Sequence, residues 1–224
     1  MSLRIGVDLD GTVADLATIY RACALQLFGE ATGDDTPDDL DAALQDDKAR
    51  LKAEHEESRR RRLIWDAVRR TDDFWMQLPP VEEGALARLY DAALARNWEV
   101  YFTTQRPISA GRSVQAQSQA WLAEQGFPGA CVLALRRSRG RIAHLLDLDF
   151  LIDDLAQNCV DVLADSRCRP LLMSREPDPA AEESARNLGI AVVRSMDDAI
   201  AHICAPAEPP RGGWARAMKA LRLS

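Results

Sequence analysis

The chain has 224 residues, 47% hydrophobic and 28% charged, which is enough apolar material for a packed core and excludes a largely disordered protein. A net charge of −7 argues against broad nucleic-acid binding, whose affinity comes from Lys and Arg on phosphates. The apolar runs fall well short of the roughly 20 residues that span a bilayer, and the first of them carries two carboxylates, which is not how a secretory signal core reads.

In chain order, residues 4–9 are a short apolar run stopped at Asp10-Gly11-Thr12, and they predict a buried strand. Residues 14–28 repeat apolar side chains at helical spacing. Residues 34–47 hold seven aspartates around Pro37 and predict a solvated, mobile segment. Residues 51–68, with Arg59-Arg60-Arg61-Arg62 in their middle, predict an exposed helix. From Val81 the pattern changes to alternating helices and short apolar strands. The strands are predicted at 98–103, 131–135, 148–152, 170–173 and 190–193, and the helices at 85–95, 113–125, 141–146, 155–165, 180–188 and 196–204. Apolar strands separated by amphipathic helices predict an α/β fold, a Rossmann-like parallel sheet with helices on both faces. The core is residues 1–16 and 79–204, and residues 17–78 form an inserted helical cap. Residues 205–224 are a tail with Trp214, Met218 and Leu221 at helical spacing.

In an open parallel sheet the ligand crevice lies at the carboxyl ends of the strands. Three strand ends carry polar groups there: Asp8 and Asp10, Thr103 and Thr104, Asp153 and Asp154. Four carboxylates gathered on one edge repel one another. A hard divalent cation with oxygen ligands is the natural neutraliser, and Mg²⁺ suits a few carboxylates with waters and a substrate phosphate. The three histidines lie away from these strand ends, so zinc is disfavoured. Two acids at one strand end allow one to attack phosphorus while the other handles protons. The competing reading is that Asp8 and Asp10 merely cap the following helix. Burying carboxylates without a use is costly, which counts against it. Five widely spaced cysteines with no C-x-x-C pair predict free thiols and a cytoplasmic protein.

The octet Asp8-Leu9-Asp10-Gly11-Thr12-Val13-Ala14-Asp15 resembles the first motif of the haloacid dehalogenase-like (HAD) superfamily. Thr103-Thr104-Gln105-Arg106-Pro107 resembles its second motif, and Phe150-Leu151-Ile152-Asp153-Asp154 its acidic fourth. The resemblance implies a phosphatase in which Asp8 is the nucleophile and Asp10 the general acid and base. It implies Mg²⁺ held by Asp8, the Asp10 carbonyl and Asp153, with Asp154 supporting the metal's waters. Thr104 would bind the transferring phosphoryl group, with Thr103 the alternative, and Thr103 and Arg106 would touch the substrate. The family's third motif supplies a lysine, but residues 135–142 contain none. Arg139 is its best positional match, ahead of Arg141 and Arg137, and its guanidinium is expected within hydrogen-bond reach of Asp8 or of a bound phosphate. Residues 73–85 are similar to the cap-return segment of the 5′(3′)-deoxyribonucleotidase-like group. That likeness implies a nucleotide substrate, with Trp75, Phe74 or Trp65 as the stacking aromatic. The expected partner is a small phosphorylated substrate, with no membrane. A non-catalytic phosphate-ligand binder on the same scaffold and a nucleic-acid end phosphatase are the competing readings.

Overall fold

A computed structural model describes residues 2–29 and 47–205, with side chains from residue 55 onward in the second span. The acidic segment at 34–46 and the tail from 206 lie outside the described residues. The order is β1 (Arg4–Asp8), α1 (Leu16–Phe28), α2 (Asp47–Arg70), a 3₁₀ turn (Phe74–Met76), α3 (Ala85–Arg96), β2 (Glu99–Thr104) and α4 (Val114–Glu124). Then follow β3 (Cys131–Ala134), α5 (Arg139–Leu145), β4 (Phe150–Asp153), α6 (Ala156–Asp165), β5 (Arg169–Met173), α7 (Pro179–Asn187), β6 (Ala191–Val193) and α8 (Met196–Cys204).

The six strands form one parallel sheet in the order β3-β2-β1-β4-β5-β6. The chain runs outward from β1 to β2 and β3, then returns to the other side of β1 for β4. That reversal opens a crevice at the carboxyl ends of β1 and β4, the place where open α/β sheets take their ligands. Alternation along the strands divides the core. Val7, Phe102 and Ile152 point to one face, packed with Leu86 and Leu89 of α3, Trp121 of α4 and Met196 of α8. Leu151 points to the other, packed with Ala143 of α5 and Val162 of α6. Both faces are therefore covered, which is why the strands read as continuous apolar runs rather than alternating ones.

Most predicted boundaries shift by one or two residues, and the helix predicted at 51–68 is longer, spanning Asp47–Arg70; two of the shifts have a clear local cause. The second strand runs to Thr104 rather than Thr103, because β3 continues to pair with it up to Thr104 and Ala134. The helix before β4 begins at Arg139 rather than Arg141, because Ser138 caps it by accepting the Arg141 N–H at 3.3 Å. Gly140 lets this helix sit hard on α6: a Cβ there would lie 2.2 Å from the Asp161 carbonyl oxygen.

Between β1 and β2, the described part of residues 17–78 holds α1, α2 and the 3₁₀ turn, and no strand. α1 starts at its Asp15 cap, which accepts the Thr18 N–H, and stops at Gly29 in the left-handed conformation. Tyr20 of α1 and Trp65 of α2 meet with ring centroids 5.8 Å apart. The excursion is rooted beside the crevice: the Asp15 N–H donates to the Pro79 carbonyl and the Val81 N–H to the Val13 carbonyl, both at 2.9 Å. Among the described residues no helix is long and apolar enough to cross a membrane. All five cysteines are free thiols.

Candidate active site

Asp8 ends β1 and is paired in register with Thr103 of β2. On its other side the paired residues Val7 and Ile152 are followed by Asp8 and Asp153. Thr103, Asp8 and Asp153 thus form one row across three strands, facing the α5 side of the sheet. All three are buried. Asp8 is pushed well above the usual carboxylate range by burial and by the charge of Asp153, with Arg139 pulling the other way and Asp10 and Asp154 adding to the rise.

Arg139, the first residue of α5, answers that row. Its Nη2 donates to Asp8 and its Nε to Asp153 at 3.3 Å. The guanidinium is almost wholly buried, and its remaining nitrogen, Nη1, has no partner. Burial works against its charge, but the two carboxylates outweigh it and hold Arg139 protonated. Thr103 Oγ1 is likewise buried without a partner. Two orphaned polar atoms, one on each residue flanking Asp8, are the kind of exception that calls for a ligand.

Asp153 is more heavily bonded than the sequence suggests. Besides Arg139 it accepts from Asn158 Nδ2 at 2.9 and 3.0 Å and from the Leu155 N–H at 2.9 Å. Burial still carries its pKa upward against these bonds. Asn158 was not anticipated; its signal is the position one turn into the helix that follows the acidic pair. Asp154 lies against the Gly11 turn, where a Cβ would fall 2.0 Å from its Oδ2 and where φ is +83°. It accepts from Thr12 Oγ1 at 3.2 Å, and burial with the Asp153 charge raises it to about 7. Thr12 is held in turn by Arg175, whose Nη2 donates to the Thr12 carbonyl at 2.8 Å. No sequence signal marks Arg175 beyond its place just past β5.

Asp10 belongs to the other side. Arg106 grips it through Nε at 2.9 and 3.1 Å and through Nη2 at 2.7 Å. Thr104 Oγ1 donates to Asp10 at 3.3 Å and accepts the Arg106 N–H at 3.2 Å. Two expectations change here. Arg106, expected to touch the substrate, has a fully buried side chain whose fork is turned onto Asp10. Trp75 is no stacking platform, because it is fully buried, its Nε1 donates to the Pro107 carbonyl at 3.0 Å, and the Arg106 guanidinium covers one ring face. Phe74 is buried against it. Trp65 is half-buried against Tyr20. Arg137 and Arg141 are exposed, so Arg139 is the arginine of this stretch that reaches the carboxylates.

Among the described residues, no three carboxylate, thiol or imidazole groups converge on one point as a complete metal cage. The residues nevertheless fit a magnesium ion, which binds through one or two carboxylates and keeps several waters. Asp8 and Asp153 are adjacent in one row, and four carboxylates stand against two guanidinium groups. With all four ionised, that imbalance is the charge of one divalent cation.

No protein-family model matches the chain, and no curated protein matches it. Solved structures do. A HAD family hydrolase from Deinococcus radiodurans, solved with bound phosphate and sodium, superposes with a TM-score of 0.57 at 14% identity, covering 90% of this chain and 95% of that one. A haloacid dehalogenase-like protein of unknown function from Agrobacterium tumefaciens gives 0.56 at 14% identity, covering 93% and 100%. A putative β-phosphoglucomutase from Thermotoga maritima gives 0.51 at 14% identity, covering 90% and 97%. The chain therefore has the fold of the HAD hydrolases.

Proposed function

We propose that the chain is a Mg²⁺-dependent phosphomonoesterase of the HAD type, acting on a small phosphorylated substrate by way of an aspartyl-phosphate. The observation that carries this reading is the row Thr103–Asp8–Asp153 at the sheet's point of reversal, bridged by Arg139 and flanked by two unpartnered polar atoms. Superposition on a HAD family hydrolase solved with bound phosphate supports it.

A phosphoryl group in transfer carries its charge on three equatorial oxygens, so catalysis is mostly positioning and electrostatics. An Asp8 carboxylate oxygen attacks phosphorus, and the ester oxygen leaves with a proton from Asp10. Asp10 then takes a proton from the water that hydrolyses the acyl phosphate, which restores both carboxyl groups. Arg139 Nη1 and Thr103 Oγ1 serve the phosphoryl oxygens. Asp8, the Asp10 carbonyl and Asp153 would hold Mg²⁺, with Asp154 on its waters, and the ion would supply Lewis-acid stabilisation of the phosphoryl charge. Thr103 takes the phosphate-binding role expected of Thr104, because the Thr104 hydroxyl is committed to Asp10 and Arg106. α1 and α2, rooted beside Asp8, act as the cap that limits water during transfer. Free cysteines agree with a cytoplasmic protein.

The test is phosphate release from p-nitrophenyl phosphate and from a panel of phosphorylated metabolites, with and without Mg²⁺. Turnover should need the metal and should vanish in Asp8→Asn, which keeps the volume and removes the nucleophile. A binder without turnover, or an Asp8→Asn variant that keeps its rate, would sink the proposal.

A further inference from the structure

Arg106 holds Asp10 from a fully buried side chain. Its guanidinium is fixed on every side the structure describes. Nε and Nη2 hold Asp10, Nη1 donates to Ser118 Oγ at 3.0 Å, and the plane lies over the Trp75 ring with Cζ 4.8 Å from the centroid. Trp75 is itself pinned. Its N–H donates to Gln117 Oε1 at 3.0 Å and its Nε1 to the Pro107 carbonyl, one residue beyond Arg106. Gln117 and Ser118 are wholly buried on α4. Trp75 sits in the 3₁₀ turn that brings the chain back from α2.

We propose that Arg106 is a positioning residue for Asp10, and that Trp75, on the segment returning from the cap helices, sets the angle of its guanidinium. The proposal rests on the phosphomonoesterase reading above and gives Asp10 a mechanical support that the motif itself lacks. An acid that must first protonate a leaving oxygen and then activate a water has to stay within hydrogen-bond reach of one small region of space. Asp10 lies beyond the end of β1, in a turn, where the sheet no longer fixes it. A two-pronged hold from a planar, stacked cation fixes both the position and the plane of the carboxylate, which a compact ammonium cannot do. A displacement of about 1 Å at such a group costs on the order of 10²-fold in rate.

The experiment compares wild type, Arg106→Lys and Asp10→Asn, in full-length protein with Mg²⁺. Two substrates are used, an alkyl phosphate, whose leaving oxygen needs a proton, and p-nitrophenyl phosphate, whose leaving group does not. Arg106→Lys should lower kcat on the alkyl ester by about 30- to 100-fold with KM changed less than about threefold. The loss in the rate of p-nitrophenolate release in a single turnover should be at least about tenfold smaller, because that step does not call on Asp10 as acid. A raised KM with kcat intact would make Arg106 a substrate-binding residue, and equal losses on the two esters would make it merely structural; either overturns the proposal. A second arm needs no turnover. In ¹H–¹⁵N spectra, one arginine Nε–H should be protected from exchange, be absent in Arg106→Lys and lose its protection in Asp10→Asn. Protection that survives in Asp10→Asn also overturns the proposal. A wild type that releases no phosphate from either ester, with the protected signal behaving as described, would refute the phosphatase reading while leaving the Arg106–Asp10 hold supported.

Discussion

Removing the Arg139 guanidinium should damage stability and rate together, and a divalent cation should repair the first more than the second. At the 3.3 Å observed to Asp153, and with an effective dielectric of about 20, one such charge pair is worth about 5 kcal/mol gross. Desolvation opposes most of that while the pair is intact. Once the cation is deleted, the buried carboxylates keep the penalty and lose the return. Breaking a buried pair in this way costs about 3–5 kcal/mol. At about 2–4 °C per kcal/mol for a chain of this size, metal-free Arg139→Met should melt about 6–20 °C below wild type. On the proposed reading Mg²⁺ would bind the folded state and take over part of the neutralisation, so it should raise the variant's Tm more than the wild type's. Turnover should stay down by about 10²–10³-fold, the loss expected when one preorganised donor to the transition state is removed. Arg139→Lys keeps the charge and should retain a measurable rate and most of the stability. The assays are thermal denaturation in EDTA and in Mg²⁺, and phosphate release. An Arg139→Met protein that melts within a degree of wild type and turns over normally would refute the reasoning, because the guanidinium would then be neither a charge partner nor a phosphoryl donor.

The two threonines should separate cleanly. Thr103→Val deletes a buried hydroxyl without a partner, so stability should hold while turnover falls about tenfold or more; Thr104→Val breaks a bonded hydroxyl and should cost about 1 kcal/mol of stability, and chemical denaturation with kinetics on both variants would expose a reversed pattern. The pH profile of metal-free stability should have two limbs with opposite signs. Asp154 is raised to about 7 from 3.8, so the folded state binds a proton that the unfolded chain releases, and stability should fall as pH rises between about 5 and 7. Glu182, lowered to about 2 by Arg194, Ser174 and Arg186, adds stability above its ordinary 4.5 that is lost as pH falls toward 2. Urea midpoints in EDTA that climb from pH 5 to 7 would contradict the Asp154 assignment.

The fold was legible because its signals are periodic. Short apolar runs bounded by turns gave each strand of the sheet to within two residues at either end. The acidic and threonine positions were legible for a related reason: polar residues closing apolar strands stand out against the pattern. Arg139 could be singled out because it opens the helix leading into Asp153 and Asp154. What the sequence hid is the part decided by tertiary packing. Arg106 and Trp75 are 31 positions apart, and nothing local says that one stacks on the other. A tryptophan between a phenylalanine and a methionine near a cap boundary reads equally as a ligand platform or as core, and here the core takes it. The choice between Thr103 and Thr104 turned on one residue of register. Side chains of a strand alternate, so the end of β2 decides which hydroxyl shares a face with Asp8.

That alternation also explains why two carboxylates two residues apart meet different cations. Asp8 is the last residue of β1, so it keeps the facing set by the strand and meets Arg139 from α5. Asp10 has already left the ladder, and its turn brings it to Arg106, whose support comes from Ser118 of α4 and from Trp75. The two guanidinium groups thus rest on helices that cover opposite faces of the sheet. On the proposed reading, the group that would attack is served from the α5 side, and the group that would exchange protons is held from the α4 side. Because the two cations rest on different helices, their contributions can be perturbed one at a time. Arg139 variants should act on binding and transfer of the phosphoryl group whatever the leaving group. Arg106 variants should discriminate between leaving groups. A loss pattern shared by both arginines would mean that the four carboxylates behave as a single cluster, and the division of labour between the two faces of the sheet would fall with it.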